Sequence, residues 1–201
     1  MAAKRRLIVG ISGASGIQYG IRLLELLRQT DVESHLVVSK AGDLTRSHEV
    51  ALSAKELRSL ANVSYPIGAM GAAISSGSFP TLGMVIIPCS VRTLAEIASG
   101  VTTSLLTRAA DVVLKERRRL VLVVRETPLN LIHLRNMTTV TEAGGIIAPP
   151  MPALYTKPQS IDELITQTVS RVLDLYEIET DQLQRWGQDI HMHTNSDPEP
   201  S

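Results

Sequence analysis

Short, continuous apolar runs are the feature of this sequence that most restricts its fold. Four of them are rich in Val, Ile and Leu and a fifth is weaker; they occupy residues 7–11, 35–38, 84–87, 120–124 and 144–148. A strand with one solvated face would alternate polar and apolar residues, and these runs do not. The pattern therefore indicates buried strands of a parallel sheet that is covered on both faces.

Helical periodicity fills the stretches between these runs. Apolar residues recur at helical spacing in 17–27, 94–98 and 105–113, and the best stripe, in 161–176, follows i, i+3, i+4 spacing for four turns. Strands that alternate with helices build βαβ units. We therefore predict a doubly wound, Rossmann-like α/β fold with a parallel sheet and helices on both faces.

Length and charge exclude several classes of protein. The 201 residues suit one domain, which we place at 1–186, followed by a disordered tail at 187–201. Twenty basic residues balance twenty acidic ones, whereas a non-specific nucleic-acid or anionic-membrane binder would show a basic excess. The single cysteine excludes a disulfide framework.

Targeting signals are not evident. The first apolar run gives way to Ser and Gly after five residues, which is too short for the core of a signal peptide. No stretch approaches the roughly 18 apolar residues of a membrane span. We therefore expect a cytoplasmic protein without a membrane partner.

The loop after the first predicted strand is the first candidate site, because open α/β sheets bind ligands at the carboxyl ends of their strands. It runs Ser12-Gly13-Ala14-Ser15-Gly16 into a helix. Small residues let a ligand approach the backbone, and a helix N-terminus offers free N–H groups to an anion. A tight strand-to-helix turn is the alternative. The loop lacks Gly-Lys-Ser/Thr and the spacing of GxGxxG, so it is neither a P-loop nor a standard dinucleotide loop.

Two further loops follow the second and third of these strands. Ser39-Lys40 comes after the 35–38 run, and Pro88-Cys89-Ser90-Val91-Arg92-Thr93 comes after the 84–87 run. In the second of these loops Ser and Thr at a helix start are caps more often than ligand contacts, so both interpretations stay open there. No nearby histidine supports Cys89 as a nucleophile, and we expect a packed thiol.

Charged residues supply the remaining candidates. Arg125-Glu126 follows the 120–124 run, and a charge pair at a strand's carboxyl end favours a functional role. Arg108, Asp111 and Lys115 share one helix stripe, for which a solvated, self-paired face is the alternative. We predict no metal site, since there is no HExxH motif and no Asp-rich cluster of the kind that holds magnesium on a diphosphate.

Together these loops resemble the UbiX-type flavin prenyltransferases, a flavoprotein family once described as phenylacrylic or aromatic acid decarboxylases. The resemblance keeps its order from residue 6 to 186 and is specific only in combination. It rests on Gly10-Ile-Ser-Gly-Ala-Ser-Gly16, Ser39-Lys40, Pro88-Cys-Ser-Val-Arg-Thr93, Arg108-Ala-Ala-Asp111 with Leu114-Lys-Glu-Arg-Arg118, Arg125-Glu-Thr-Pro128 and Pro158-Gln-Ser160. Many relatives have Arg-Arg-Pro at 117–119, where this chain has three arginines outside the motif positions.

The resemblance implies a metal-independent enzyme that makes a cofactor. A dimethylallyl group passes from dimethylallyl monophosphate to N5 and C6 of reduced FMN, and the product, prenylated FMN, serves a UbiD-type aromatic acid decarboxylase. The family forms dodecamers with the flavin between subunits, so a homododecamer is expected. The small-residue segment 68–77 suits a closely packed interface, with a flexible loop as the alternative.

The resemblance also implies roles for particular residues. The flavin contacts fall on Gly13, Ala14, Ser15, Ser39, Ser90, Val91, Arg92, Thr93 and Arg125. The dimethylallyl phosphate contacts fall on Arg108, Lys115, Tyr155, Arg171 and Trp186. The expected catalytic residues are Ser15, Glu49, Lys115 and Glu126, of which Glu126 is an acid for the departing phosphate or only an orienting partner of Arg125 or Lys115.

Three other classes were considered. A short-chain dehydrogenase needs Tyr-x-x-x-Lys, and no tyrosine here has a lysine four residues on. An FMN-dependent cysteine decarboxylase would carry Pro-Ala-Ser-Ala-Asn-Thr at 88–93 and a catalytic histidine that we do not find. A non-catalytic flavin carrier would need the flavin loops but not Lys115, Glu126, Tyr155 and Arg171 together; the last two classes stay open as alternatives.

Overall fold

The structure is a computed structural model that describes residues 4–188. Its strands are β1 (Arg6–Ile11), β2 (Glu33–Val38), β3 (Val63–Tyr65), β4 (Gly83–Cys89), β5 (Arg119–Val124) and β6 (Ile146–Ile147). Its helices are α1 (Ile17–Leu27), α2 (Lys40–Glu49), α3 (Ala54–Ser59), α4 (Val91–Ala98), α5 (Leu105–Lys115), α6 (Leu131–Glu142) and α7 (Ile161–Asp174), with 3-10 turns at Ala73–Ser75 and Leu154–Thr156.

The described strands form one parallel sheet in the order β3-β2-β1-β4-β5-β6. Strands β2 and β3 lie on one side of β1, and β4, β5 and β6 lie on the other side. The strand order therefore reverses between β1 and β4, which is the switch point where doubly wound sheets bind ligands. The predicted doubly wound α/β fold is confirmed.

Both faces of the sheet are covered, which explains why the strand runs lack alternation. Alternate residues of β1 pack into separate cores: Val9 lies with α1 and α7, whereas Ile8 lies with α4 and α5. Every residue of β4, at the centre of the sheet, is buried. The weak run at 144–148 shortens to β6 because Gly144, at φ 94°, still belongs to the turn that follows α6.

Two further predictions concern membrane spans and the C-terminal tail. No helix in residues 4–188 combines the length and apolar character needed to cross a bilayer. The predicted tail lies outside the described residues from 189 onward.

Candidate active site

Ser12 joins the loops that follow β1 and β4 at the switch point. Its buried hydroxyl donates to the carbonyl oxygen of Pro88 at 3.1 Å and accepts the backbone N–H of Ser90 at 2.8 Å. Its own backbone N–H donates to the same Pro88 oxygen at 3.1 Å. One buried serine therefore fixes the two loops relative to each other.

Helix α1 is capped by a carboxylate from α2. Gly16 adopts the left-handed conformation at φ 102°, and the oxygens of Glu49 accept its N–H at 2.9 and 3.1 Å and that of Ile17 at 2.9 Å. Burial raises the pKa of Glu49, but hydrogen bonds from the Ser15 hydroxyl and the two N–H groups, with Arg125 nearby, outweigh it and lower the pKa. The predicted residues Ser15 and Glu49 thus meet at the start of α1.

A cleft of about 380 Å³ opens beside these loops at the carboxyl edge of the sheet. Five predicted flavin contacts line it: Gly13, Ser39, Ser90, Arg92 and Thr93. Of the other predicted flavin contacts in these loops, Ala14 is a buried residue of the first loop and Ser15 is exposed there, while Val91 is the first residue of α4.

Three helix N-termini face the cleft, and each has a serine cap. Ser39 accepts the N–H of Gly42, Ser90 that of Thr93, and Ser104 that of Thr107, at 3.0, 3.3 and 3.4 Å. Each cap thus serves the third helical residue, while the N–H groups at the start of a helix favour an anion. Capping does not exclude a place in the cleft, because Ser39 and Ser90 cap helices and also line it, together with Thr93, whose N–H the Ser90 cap accepts.

Several cleft residues were not predicted. Lys40 lies at the start of α2, and its ammonium has no ion pair within residues 4–188. Glu96 forms one wall, where it pairs with Arg92 at 3.0 Å and accepts the hydroxyl of Thr103 at 3.0 Å. Ser104-x-x-Thr107 before an apolar run is a capping-box pattern that could have identified the N-terminus of α5.

The cleft suits a planar ligand that carries a phosphate. Its volume falls within the range of about 300–1,000 Å³ that is typical of ligand clefts. Gly13 packs so closely on α2 that a Cβ there would lie 2.4 Å from the Cβ of Ala41, so the floor of the cleft is bare backbone. Three helix N-termini and Lys40 supply the positive potential that a phosphate group requires.

Arg125 extends this site past the first loop. Its backbone N–H donates to the carbonyl of Cys89 at 3.1 Å, and its guanidinium makes no hydrogen bond or ion pair within the described residues. The phenol of Tyr19 lies close enough that Arg125 partly offsets the rise that burial causes in its pKa. Arg125 is therefore a free cation beside Glu49 and Tyr19.

Glu126 and Cys89 complete this edge. Glu126 is exposed, and its carboxylate accepts the N–H of Thr127 at 3.1 Å without an ion pair to any other described residue. Cys89 is fully buried, which raises the pKa of its thiol, as expected for a packed residue. The structure therefore gives no support, within one protomer, to the pairing of Glu126 with Arg125 or Lys115.

Helix α5 carries two predicted donor contacts, one near each of its ends. Arg108 pairs with Asp111 at 2.7 Å, and Lys115, the last helical residue, pairs with Glu116. Beyond it, Arg118 donates to the carbonyl of Gly77 at 2.6 Å, close to the start of β4. Lys115 thus lies near the amino edge of the sheet, opposite the cleft.

Tyr155, Arg171 and Trp186 meet in a separate depression of about 350 Å³. The rings of Tyr155 and Trp186 are edge to face, 5.3 Å apart, and Arg171 pairs with Asp174 at 2.7 Å. Just after α7, the hydroxyl of Tyr176 donates to the carbonyl of Met84, near the start of β4, at 2.6 Å. One protomer therefore divides the predicted residues among the cleft edge, the amino-edge side of α5 and this depression.

Comparison with known proteins agrees with this fold. A model of the family described as Flavoprotein matches residues 1–173. The flavin prenyltransferase UbiX of Neisseria meningitidis serogroup B is 58% identical over 182 residues, covering 90% of this chain and 96% of the relative. That of Escherichia coli K12 is 59% identical over 175 residues, covering 87% and 93%.

Solved structures give the same result. The crystal structure of AnUbiX (PadA1) in complex with FMN and dimethylallyl pyrophosphate has a TM-score of 0.90 and 50% identity, covering 92% of this chain and 98% of that one. A dodecameric FMN-dependent UbiX-like decarboxylase from E. coli O157:H7 has a TM-score of 0.88 and 47% identity, covering 90% and 98%. The FMN-dependent cysteine decarboxylase TvaF, at 18% identity and a TM-score of 0.59, shares the fold alone.

The fold and the phosphate-suited cleft at its switch point are those of a flavoprotein. Identities near 60% over almost the whole chain narrow the class further. The chain belongs to the UbiX-type flavin prenyltransferases, enzymes that transfer a prenyl group to a flavin, which confirms the resemblance drawn from the sequence.

Proposed function

We propose that this protein alkylates reduced FMN with a dimethylallyl group, first at N5 and then at C6, and releases prenylated FMN. The observation that carries the proposal is the cleft at the β1–β4 switch point, where three capped helix N-termini and Lys40 suit a flavin phosphate. The FMN and dimethylallyl pyrophosphate bound to AnUbiX support both substrate classes.

The chain's own residues would hold the flavin as follows. The bare backbone at Gly13 and the residues Ser90–Thr93 would border the ring system, and the starts of α2, α4 and α5 would hold the phosphate. Arg125, whose guanidinium has no partner among the described residues, would donate to the reacting edge of the ring beside Ser15 and Glu49. When bound, reduced FMN supplies the two nucleophilic positions.

The donor needs a cationic site, because breaking its allylic C–O bond leaves the electron pair and extra negative charge on phosphate. Arg108, Lys115 and Arg171 have cationic side chains, and Tyr155 can donate a hydrogen bond, so together they can stabilise that charge without a metal. Protonated Glu126 would transfer its proton to a phosphate oxygen as the bond breaks. We propose dimethylallyl monophosphate as the donor; the pyrophosphate in AnUbiX keeps the diphosphate as the alternative to test.

These donor residues come together only if neighbouring copies contribute them. In one protomer Lys115 lies opposite the cleft, and Tyr155, Arg171 and Trp186 form a separate depression. Trp186 and Arg171 are 62% and 60% exposed, which is unusual for residues that shape a substrate site. A homododecamer with sites between subunits, as proposed here, would cover them; the dodecameric relative from E. coli supports this assembly.

Three finer proposals follow from the family. The released prenylated FMN would serve a UbiD-type aromatic acid decarboxylase, the protein would act in the cytoplasm, and residues 1–186 would form its single domain. The mass of the recipient's cofactor, with and without this enzyme in the same cell, tests the first.

Mass spectrometry of the released flavin tests the main proposal. Protein, reduced FMN and dimethylallyl monophosphate are incubated without oxygen, and the denatured supernatant is analysed. A flavin heavier by one prenyl unit supports prenyl transfer. Unmodified FMN indicates a flavin carrier, and loss of CO₂ from a supplied cysteine peptide indicates a cysteine decarboxylase. A parallel reaction with the diphosphate decides between the donors.

A further inference from the structure

One face of α7 carries a row of three polar residues. Gln167, Arg171 and Asp174 follow i, i+4, i+7 spacing, so their side chains lie along the same stripe. The proposed function gives Arg171 a role in donor binding and leaves the other two unexplained. The chain returns along this stripe after α7, in the segment 180–188.

Gln167 holds that segment by its main chain. The side chain is buried at 6% exposure, and its amide nitrogen donates to the carbonyl of Gln184 at 2.8 Å. Its amide oxygen accepts the N–H of the same residue at 3.0 Å. A buried amide is costly unless both of its groups are hydrogen-bonded, and here Gln184 alone satisfies them.

Asp174 holds the next residue of the segment by its side chain. Its carboxylate accepts hydrogen bonds from Arg171 at 2.7 Å and from Arg185, one of them at 3.3 Å. The hydrogen bond from Arg185 is the main cause that lowers its pKa. A carboxylate at the last residue of a helix is opposed by the helix dipole, so the two arginines account for its presence.

The two residues held in this way, Gln184 and Arg185, immediately precede Trp186, whose ring packs edge to face on Tyr155. We propose that Gln167 and Asp174 are positioning residues of the prenyl-donor site, which hold Arg185 and Trp186 against α7 beside Arg171. The inference rests on the proposed function, because that function assigns donor binding to Tyr155, Arg171 and Trp186. Gln167 sets the path of the backbone, and Asp174 sets the direction of both guanidinium groups.

Trp186 is the single tryptophan of the chain, so its fluorescence reports the position of the segment directly. Gln167→Glu keeps the shape but places a carboxylate against the carbonyl of Gln184, and Asp174→Asn removes the charge that pairs both arginines. Both variants of the full-length protein should show stronger acrylamide quenching of Trp186, and Asp174→Glu should restore much of the wild-type value. Gln29→Glu, at an exposed glutamine two residues past the end of α1, and Glu25→Gln, which breaks an i,i+3 ion pair on α1, should quench like wild type.

Donor kinetics tests the second half of the proposal. Gln167→Glu and Asp174→Asn should raise the KM for dimethylallyl monophosphate about tenfold, as expected for a lost hydrogen bond to a charged group, and leave the Kd for FMN unchanged. Wild-type quenching in both variants would overturn the anchoring. Altered quenching with an unchanged donor KM would overturn the role in donor binding. If the wild-type protein forms no prenylated flavin, the proposed function fails and the donor role with it, while the quenching data still decide the anchoring.

Discussion

The carboxylate of Glu49 caps helix α1 at Gly16, with both of its oxygens within 3.1 Å of the backbone nitrogen of that glycine. The lowered pKa of Glu49 means that the ionised form is favoured in the folded state. Its contribution to stability is therefore present above the unfolded value of 4.5 and is lost as the pH falls through the folded pKa.

Glu49→Gln should lower the free energy of unfolding by about 1 kcal/mol at pH 7, the usual cost of a lost helix cap. The difference from wild type should shrink as the pH falls through the folded pKa, which lies below 4.5, because wild-type Glu49 then becomes protonated as well. Urea denaturation at fixed protein concentration measures both. Glu179→Gln, at an exposed glutamate, is the control. A constant difference between pH 7 and pH 3 would contradict the prediction.

Arg125→Ala should weaken FMN binding by about 1.5–3 kcal/mol, the contribution of a charge-assisted hydrogen bond. Because Arg125 has no partner among the described residues, the substitution breaks no ion pair of the folded chain there. Flavin fluorescence titration gives the Kd. Arg28→Ala removes an exposed arginine at the opposite end of α1 and should bind FMN normally. An unchanged Kd in Arg125→Ala would remove this residue from the site.

Glu126→Gln should bind FMN normally and slow prenyl transfer by about 10²–10⁴-fold, the usual contribution of a positioned acid. If Glu126 is the acid, the wild-type rate falls towards high pH, and the variant loses that limb. Single-turnover rates across the pH range measure this. Weaker substrate binding with the pH profile retained would instead indicate an orienting role. Full activity would exclude both roles.

Mixing two inactive variants should restore activity if neighbouring copies share each site. Arg125→Ala damages the flavin edge and Arg171→Ala damages the donor depression, so a mixed assembly would contain some sites with neither change. The two proteins are dissociated, mixed and reassembled, and their mass is followed by light scattering. Each variant reassembled alone is the control. A fully active monomer would contradict the shared site.

The central sheet could be predicted because its signal is continuous burial, as in β4. The edge strand β3 could not: it has three residues, each only partly buried. Helix α2 gave no apolar stripe because only Gly42 is buried, and α6 gave none because Leu131, Ile132 and Leu134 are exposed. Those exposed apolar residues suit a subunit interface, and packing within a single chain does not explain their pattern.

The sequence predicts which residues belong to the site but not how one protomer arranges them. Motif resemblance identified Arg125 and Ser90, and both lie at the carboxyl edge of the sheet as the strand pattern requires. It also selected Lys115, whose place near the other edge follows from the length of α5, a quantity that a short motif does not contain. Gln167 is invisible to such motifs because its role is to bond the main chain of a residue 17 positions away.

The length of helix α2 fixes the position of Glu49 relative to Gly13. Its first turn abuts Gly13 through Ala41, and its last residue is the cap of α1, while Gly42 alone is buried between them. Each residue added to or removed from the helix would turn Glu49 by about 100° and carry it away from Gly16. Side chains on the exposed face of α2 can therefore change without moving Glu49, whereas an insertion or deletion within its ten residues would displace the cap of α1.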